Sequence, residues 1–498
     1  MAEIVARKDR ISELPVHIIH DILRRIRQNG LDEETRTRVL SKRWNLIWRT
    51  RPDLIFQSSH YSLFTNLEDF VKFVDDSLQP YVKQNLSIEM LRLTQLHPRE
   101  LPCHSHVDRW LELAIKLHVR FLEIDAAWFG SSYYSIPDSI YAAKTLTVLY
   151  LSGCNFGIDN NSTNKLQGLF STCSLIRDLK LSRCMGFKNL HVLGLLYLEN
   201  LELTRCKKLE KVEIWAPNLK QFVYAGMPLE EYPRTLEPEL LPCTIDILDG
   251  HKTLEYLHLE ATTMADQQFE YQLSMFPALE VLELTGCYVM KNIKVVSEKL
   301  KRFTLWHWQD LEQVNVLAPN LMAFYFEGCK MPFSISTMDL SNLECGRLDL
   351  SLQPSDSYNF GDVDTSWYKN LLCFVQKFNY SNGLKLVFHC EESILIYEAP
   401  RAILLPPTRK LDLYLESPTT RLESFVNDMM FAQPKIISIV HGIDSKILQI
   451  LHEMTAAYTK KQNIRLKEVT NYKGAAEDGV QLVSVLPLKI FLDLGIKG

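Results

Sequence analysis

Apolar residues between Asp9 and Trp48 fall into two helical stripes separated by a polar turn. Leu14-Pro15 opens the first, and a proline suits a first helical turn because its missing N–H would have no partner there. Ile18, Ile19, Ile22, Leu23 and Ile26 then recur on one helical face. In the second stripe Leu40, Trp44, Ile47 and Trp48 stand at i, i+4, i+7 and i+8, with Asp32 and Ser41 as candidate N-caps. Two short helices with this much apolar and aromatic surface are expected to need a further covering surface.

The middle of the chain follows a different rhythm. Leu146, Leu149, Leu151 and Cys154 make the pattern L-x-x-L-x-L-x-x-C, which returns at Ile176, Leu179, Leu181, Cys184 and at Leu198, Leu201, Leu203, Cys206. Leu219, Phe222, Tyr224 and Leu254, Leu257, Leu259 continue it. Leu279, Leu282, Leu284, Cys287; Leu300, Phe303, Leu305, Trp308; and Leu321, Phe324, Phe326, Cys329 follow. Weaker copies lie earlier, at Ile88, Leu91, Leu93 and Val119, Leu122, Ile124. Measured on the second position from Leu179 onward, the spacings are 22, 21, 35, 25, 21 and 21 residues, with one insertion near 228–250. This is the period of a leucine-rich repeat. Each L-x-L predicts a short parallel strand with its leucines turned inward and the middle residue outward.

Beyond residue 340 the repeat weakens, though Leu348-Asp349-Leu350, Leu384-Lys385-Leu386 and Leu411-Asp412-Leu413 still predict strands. Leu422, Phe425, Val426, Met429 and Met430 predict a helix stopped by Pro434 and followed by a strand. Ile447 to Tyr458 predicts another amphipathic helix, suited to capping a solenoid. Residues 56–87 and 106–118 read as helices that link the N-terminal pair to the repeats.

Composition narrows the class. The chain has 498 residues with 46% apolar and 23% charged content, enough for a large core. Net charge is −5, without the excess of cations that nucleic-acid binding needs. Residues 1–52 carry twelve Lys/Arg against seven Asp/Glu, a basic head that favours encounter with an acidic partner. The absence of a signal-like apolar run or a long apolar span predicts cytoplasm or nucleus. Eleven cysteines without a C-x-x-C pair fit free thiols in a reducing compartment.

Candidate chemistry is sparse. Cys154, Cys184, Cys206, Cys287 and Cys329 share one repeat offset, and without local Cys/His pairs they read as small buried packing residues rather than metal ligands. Cys103-His104-Ser105-His106 and His389-Cys390 lack a second pair at ligand spacing. No nucleophile elbow, phosphate-binding glycine loop or zinc helix is present in the sequence, so no catalysis, cofactor or metal is expected. The outward strand positions Tyr150, Lys180, Glu202, Val223, His258, Glu283, Thr304 and Tyr325, with the flanking Trp306 and Glu327, are the candidate recognition surface. Their mixed charges and aromatics favour a protein ligand, and Trp306 with Tyr325 is the candidate anchor.

The N-terminal stretch, LP-x-x-I-I-x-x-I-L followed by RT-x-VLSKRW-x-x-IW, resembles the F-box in its plant form. Gly30-Leu31-Asp32 stands where that family usually has a second Leu-Pro. The C-terminal helix–proline–strand unit is similar to the FBD segment of the plant F-box/FBD/leucine-rich-repeat group, with Phe431 in place of its usual tryptophan and no basic-cysteine run. The resemblance implies an α/β chain: a helical F-box over 9–52, linker helices and a first irregular repeat over 53–118, a solenoid of parallel strands over 119–400, and an FBD-like cap over 401–498. It implies a non-catalytic substrate receptor of a Skp–cullin–F-box ubiquitin ligase. Leu14, Pro15, Ile18, Ile22, Leu23, Leu40, Trp44 and Trp48 would then contact a Skp-type adaptor or support the contact, a division the sequence does not make. The repeats would hold an unidentified target protein. A receptor sensing a small molecule and a repeat scaffold without ligase partnership are the alternatives.

Overall fold

The computed structural model describes residues 11, 13–27, 31–57, 67–94, 104–126, 133–157, 162–226, 243–248, 252–287, 289–308, 311–328 and 343, and thereafter the backbone of five strands. The chain divides into two compact units, Met1–Leu279 and Glu280–Gly498.

The first unit opens with α1 (Val16–Arg27), α2 (Leu31–Arg36), a 3-10 turn at Thr37–Val39, and α3 (Lys42–Arg49). It continues as β1 (Asp53–Gln57), α4 (Leu67–Gln84), β2 (Met90–Thr94), α5 (His104–Lys116), β3 (Phe121–Asp125), β4 (Tyr134–Ser135), β5 (Val148–Ser152), β6 (Cys154–Asn155) and α6 (Ser162–Thr172). After these come β7 (Asp178–Ser182), β8 (Asn189–Leu193), β9 (Asn200–Thr204), β10 (Lys211–Trp215), β11 (Gln221–Ala225), β12 (Thr244–Ile247), β13 (Tyr256–Glu260) and α7 (Asp266–Ser274). Strands β1-β2-β3-β5-β7-β9-β11-β13 pair in that order, and every pairing is parallel. One strand per repeat, always in the same direction, is what a stack of L-x-L units requires.

The leucine pattern explains the core. Leu149, Leu151, Leu181, Leu203, Leu257 and Leu259 are all buried at 0–2% exposure, while Tyr150, Lys180, Glu202 and His258 between them stay half-exposed. Each such leucine contributes about 1.5–3 kcal/mol on burial, so neighbouring repeats hold one another.

The structure corrects the linker reading. Asp53–Gln57 is a strand, with Leu54 and Phe56 at 0% exposure, so the sheet starts immediately after the head rather than at the Leu91–Leu93 copy. The two linker helices exist with shifted bounds, as α4 and α5. The insertion near 228–250 supplies β12. A second set of parallel strands, β8-β10-β12, has no counterpart in the sequence reading. Its signal was there in the β-branched alternation of Val212/Ile214, both fully buried.

The second unit holds β14 (Val281–Thr285), β15 (Asn292–Val296), β16 (Arg302–Trp308), β17 (Gln313–Leu317), β18 (Ala323–Gly328) and β19 (Cys345–Leu350), then β20 (Gly383–Phe388), β21 (Leu411–Leu415), β22 (Ile436–Val440) and β23 (Arg465–Val469). Strands β14-β16-β18-β19-β20-β21-β22-β23 pair in parallel, so strands within the region read as an FBD-like cap extend the same sheet. The helices expected over Leu422–Met430 and over Ile447–Tyr458 lie outside the described residues.

Strand exits repeat one device. Gly153, Arg183, Arg205 and Ala261 in the first unit, and Gly286 and His307 in the second, all take left-handed backbone with φ between 48 and 67°. A side chain in that conformation costs about 1–2 kcal/mol, which glycine avoids.

Candidate functional site

The head is built around its tryptophans. Ile19, Leu23, Trp44, Ile47 and Trp48 form one buried cluster, with Leu14 and Ile22 packed against it. Ser41 caps α3: its backbone is extended, and its Oγ accepts a hydrogen bond from Trp44 N at 3.1 Å. Asp32, the other candidate cap, lies inside α2 instead. Ser41→Ala is expected to destabilise the head by about 1 kcal/mol, read as a lower urea midpoint.

Leu23, Trp44 and Trp48 are 1%, 1% and 7% exposed, which puts these three on the supporting side of the division between contact and support that the sequence left open. They are internal props. The expectation that the two helices could not cover their own aromatic surface overlooked arginine. The Arg38 and Arg51 guanidiniums stand 4.6 and 4.2 Å from the Trp48 ring centroid, supplying cover through cation–π contact.

What stays outside is a set of apolar residues at one end of the helices. Pro15 is exposed, Val16 is 47% exposed, Val39 87% and Leu40 55%, while Leu14, Ile18 and Ile22 are half-buried. Arg43 Nη2 donates to Leu14 O at 2.8 Å, tying the start of α3 to the start of α1. Of the remaining sequence candidates Pro15 and Leu40 are exposed, and Val16 and Val39 join them as exposed apolar residues of the head. Both were missed because they fall off the helical stripes by which the sequence was read.

The head is locked to the first repeat by charge. Arg24 Nε lies 2.8 Å from Asp53 Oδ2 at the start of β1. Arg51 Nε lies 3.2 Å from Glu34 Oε1, with side chains 6% and 0% exposed. Arg51 also donates to Trp48 O at 2.8 Å, and the Tyr81 hydroxyl of α4 donates to Arg51 O.

His20 sits at this junction, half-buried, and its Nε2 is buried without a hydrogen-bond partner among the described residues. Burial holds its imidazole below the ordinary value of 6.5, against the opposing pull of Asp53. The neutral ring is thus favoured on folding. Head stability is complete above pH 6.5 and falls as acid protonates the unfolded chain first, down through the lowered folded value. Thermal melts between about pH 7.5 and about pH 5 are expected to show this slope, and His20→Asn to flatten it.

The second candidate surface is the outward row of the sheet. In the first unit Arg92, Glu123, Tyr150, Lys180, Glu202, Val223 and His258 stand in successive register. Arg92 and Glu123, absent from the sequence candidates, belong to the weaker early copies. Arg92 Nε pairs with Glu123 Oε2 at 2.9 Å, and Lys180 Nζ with Glu202 Oε1 at 3.0 Å. Burial pushes both carboxyls above the usual range and the Tyr150 hydroxyl up to about 12. In the second unit, taken by itself, Glu283, Thr304 and Tyr325 stand in register. Thr304 is only 3% exposed and so does not present itself to a ligand; its short side chain sits between two longer ones. Trp306 and Tyr325 do meet, with ring centroids 6.5 Å apart and planes at 22°. A bulge between Leu305 and Trp308 follows, where His307 Nδ1 reaches Glu327 Oε1 at 3.0 Å.

The repeat cysteines face inward. Cys154, Cys184 and Cys287 are fully buried, Cys206 is half-buried, and Cys329 lies outside the described residues. Cys184 Sγ donates to Leu151 O at 3.4 Å and Cys206 Sγ to Leu181 O at 3.5 Å, linking each repeat to the one before. Burial pushes the Cys184 thiol well up, and its bond to Cys184 together with burial does so at Cys206. Among the described residues no group of three or more His, Cys, Asp or Glu side chains could hold a metal, and no helix is long and apolar enough to cross a membrane.

A family model described as At1g61320/AtMIF1, LRR domain, matches residues 82–232 and 240–355, more than half of the chain. The chain belongs to this leucine-rich-repeat family. The match starts within α4 and runs through the parallel strands as far as β19, leaving the head outside it. Relatives from Arabidopsis thaliana carry the further resemblance to plant F-box/leucine-rich-repeat proteins. The F-box/FBD/LRR-repeat protein At1g13570 is 26% identical over 72% of this chain and 86% of its own length. The FBD-associated F-box protein At5g38590 is 27% identical over 60% of this chain and 66% of its own length. At4g10400, also an FBD-associated F-box protein, is 29% identical over 29% of this chain and 34% of its own length. For two other relatives of the same kinds the chain spans 39% and 44% of their lengths. These relatives and the repeat family bear out the recognition of a plant F-box/leucine-rich-repeat protein. No solved structure matches significantly.

Proposed function

We propose that this protein is the non-catalytic substrate-recognition subunit of a Skp–cullin–F-box ubiquitin ligase, working in the cytoplasm or nucleus. The head binds a Skp-type adaptor, the repeats hold a target protein, and other subunits deliver ubiquitin to the target's lysines. The observation that carries this reading is the exposure of Pro15, Val16, Val39 and Leu40 on a head whose tryptophans are already buried. A folded head that has covered its aromatics yet exposes a Val and a Leu at 87% and 55% has the makings of a contact surface. Names of the relatives, which include F-box and FBD-associated F-box proteins, support the same reading.

The target is held near the ligase by geometry. Arg24–Asp53, Arg51–Glu34 and Tyr81–Arg51 stiffen the join between head and first repeat. A stiff join keeps the effective concentration of a bound target's lysines high. Mixing the purified chain with a Skp-type adaptor and following co-elution by gel filtration tests the proposal. A single complex peak is expected, and separate elution at micromolar concentrations overturns it.

A further inference from the structure

The left-handed strand exits single out two arginines. In register across neighbouring repeats stand Gly153, Arg183, Arg205, Gly226 and Ala261, the residues that follow the paired positions Ser152, Ser182, Thr204, Ala225 and Glu260. Their N–H groups continue the ladder: Gly153 donates to Ser182 O at 2.9 Å, Arg183 to Thr204 O at 2.7 Å, Arg205 to Ala225 O at 2.6 Å and Gly226 to Glu260 O at 2.9 Å. The row is thus one continuous edge, with members about 4.8 Å apart. Arg183 and Arg205 have φ of 48 and 52°, where Gly153 relieves the same conformation. Lys208, three residues on, is left-handed too, with φ of 59°. Three long cations occupy backbone that glycine would hold without strain. Strain kept at such positions points to use of the side chains.

The surroundings agree. Arg183, Lys207 and Lys208 are exposed, and among the described residues no carboxylate pairs with any of them. Lys207 Nζ stands 5.2 Å from the Tyr133 ring centroid. The nearby Glu210 is engaged with Lys188 at 2.9 Å, and Glu260 stands two strands from Thr204 at the far end of the row. One residue earlier on each strand stand Ser152, Ser182 and Thr204, none of them charged. Clustered exposed cations without a neighbouring anion suit carboxylate or phosphate oxygens. The outward sheet row offers no such excess, because Arg92–Glu123 and Lys180–Glu202 neutralise themselves.

We propose that Arg183, Arg205, Lys207 and Lys208 form a cationic rim that binds an acidic peptide stretch of the protein held by the repeats. This deepens the receptor reading by naming the chemistry of its target, and it rests on the repeats being the target-binding part. Glycine variants make the test clean, because Arg183→Gly and Arg205→Gly remove charge while easing backbone strain. The probe is a fluorescein-labelled oligoglutamate peptide, with oligolysine as control, titrated into the full chain by fluorescence anisotropy. Oligoglutamate is expected to bind, with affinity that falls as salt rises. The double glycine variant is expected to melt no lower than the parent and to bind about tenfold more weakly. Lys207→Gln with Lys208→Gln is expected to weaken binding independently. Equal binding by parent and double variant, or binding of oligoglutamate no tighter than oligolysine, overturns the rim. Adaptor co-elution measured on the same variants separates the two proposals: it stays unchanged if only the rim fails, and is already absent in the parent if the receptor reading fails.

Discussion

Replacing Trp44 with Ala is expected to unfold the head by removing about 3–5 kcal/mol of packing. Trp44 is among the largest side chains of the protein that are fully buried, and it sits in a cluster of only five buried residues. Ile19, Leu23, Ile47 and Trp48 would line the cavity, and a domain this small has little other apolar contact to offset it. Its indole Nε1 has no hydrogen-bond partner among the described residues, so Trp44→Phe loses area alone. Limited proteolysis reads the difference. Trp44→Ala should open rapid cleavage within residues 14–50 while the repeats resist, and Trp44→Phe should retain most of the parental protection. Adaptor capture will fall in Trp44→Ala, but as a consequence of unfolding. Unchanged protection in that variant would show that the buried cluster does not hold the head together.

Leu40→Asp is expected to do the opposite, abolishing adaptor capture while leaving the fold intact. Leu40 is 55% exposed at the end of the 3-10 turn, so a charge there disturbs no core and should move stability by no more than about 0.5 kcal/mol. In an adaptor complex the same carboxylate would be taken out of water against apolar surface, next to the exposed Val39. An apolar anchor of this kind is worth at least about 2 kcal/mol, or about thirtyfold in affinity. Val296→Asp, at a comparably exposed apolar residue of the second unit, is the control and should leave capture unchanged. Surface plasmon resonance with immobilised adaptor distinguishes the two variants. Equal affinities for both would remove Leu40 from the proposed interface.

The two predictions divide residues that the sequence had grouped. Leu40, Trp44 and Trp48 share one helical stripe, and a stripe reports that residues lie on one side of a helix without saying what lies against it. Trp44 and Trp48 turned inward because α1 supplies Ile19 and Leu23, and because Arg38 and Arg51 cover the Trp48 ring from outside. Leu40 precedes the Ser41 cap, where the chain enters α3, and stays in the open. Val16 and Val39 belonged to no stripe, and only their exposure in the folded head marks them.

The repeats were more legible. A period near 22 residues with L-x-L at its centre specified parallel strands, inward leucines and buried cysteines, and these are what the described strands contain. Such a pattern is readable because each repeat contacts chiefly its neighbours, so local sequence and global packing say the same thing. Legibility failed where a repeat had few matching copies beside it. Asp53–Gln57 was taken for linker, although Leu54 and Phe56 already carry the inward alternation. Thr304 was taken as outward by register alone, and is buried between longer neighbours.

By itself, then, the sequence determined the class of the chain, a basic helical head and a parallel-strand repeat, because spacing and composition act through short-range contacts. Only tertiary structure decided which head residues are props and which are open, how arginines from the turn and from the strand approach cover a tryptophan, and that Arg183 and Arg205 stand side by side in left-handed backbone. Those outcomes depend on residues brought together across helices or whole repeats, and no periodicity along the chain encodes which surface is finally left without a neighbour.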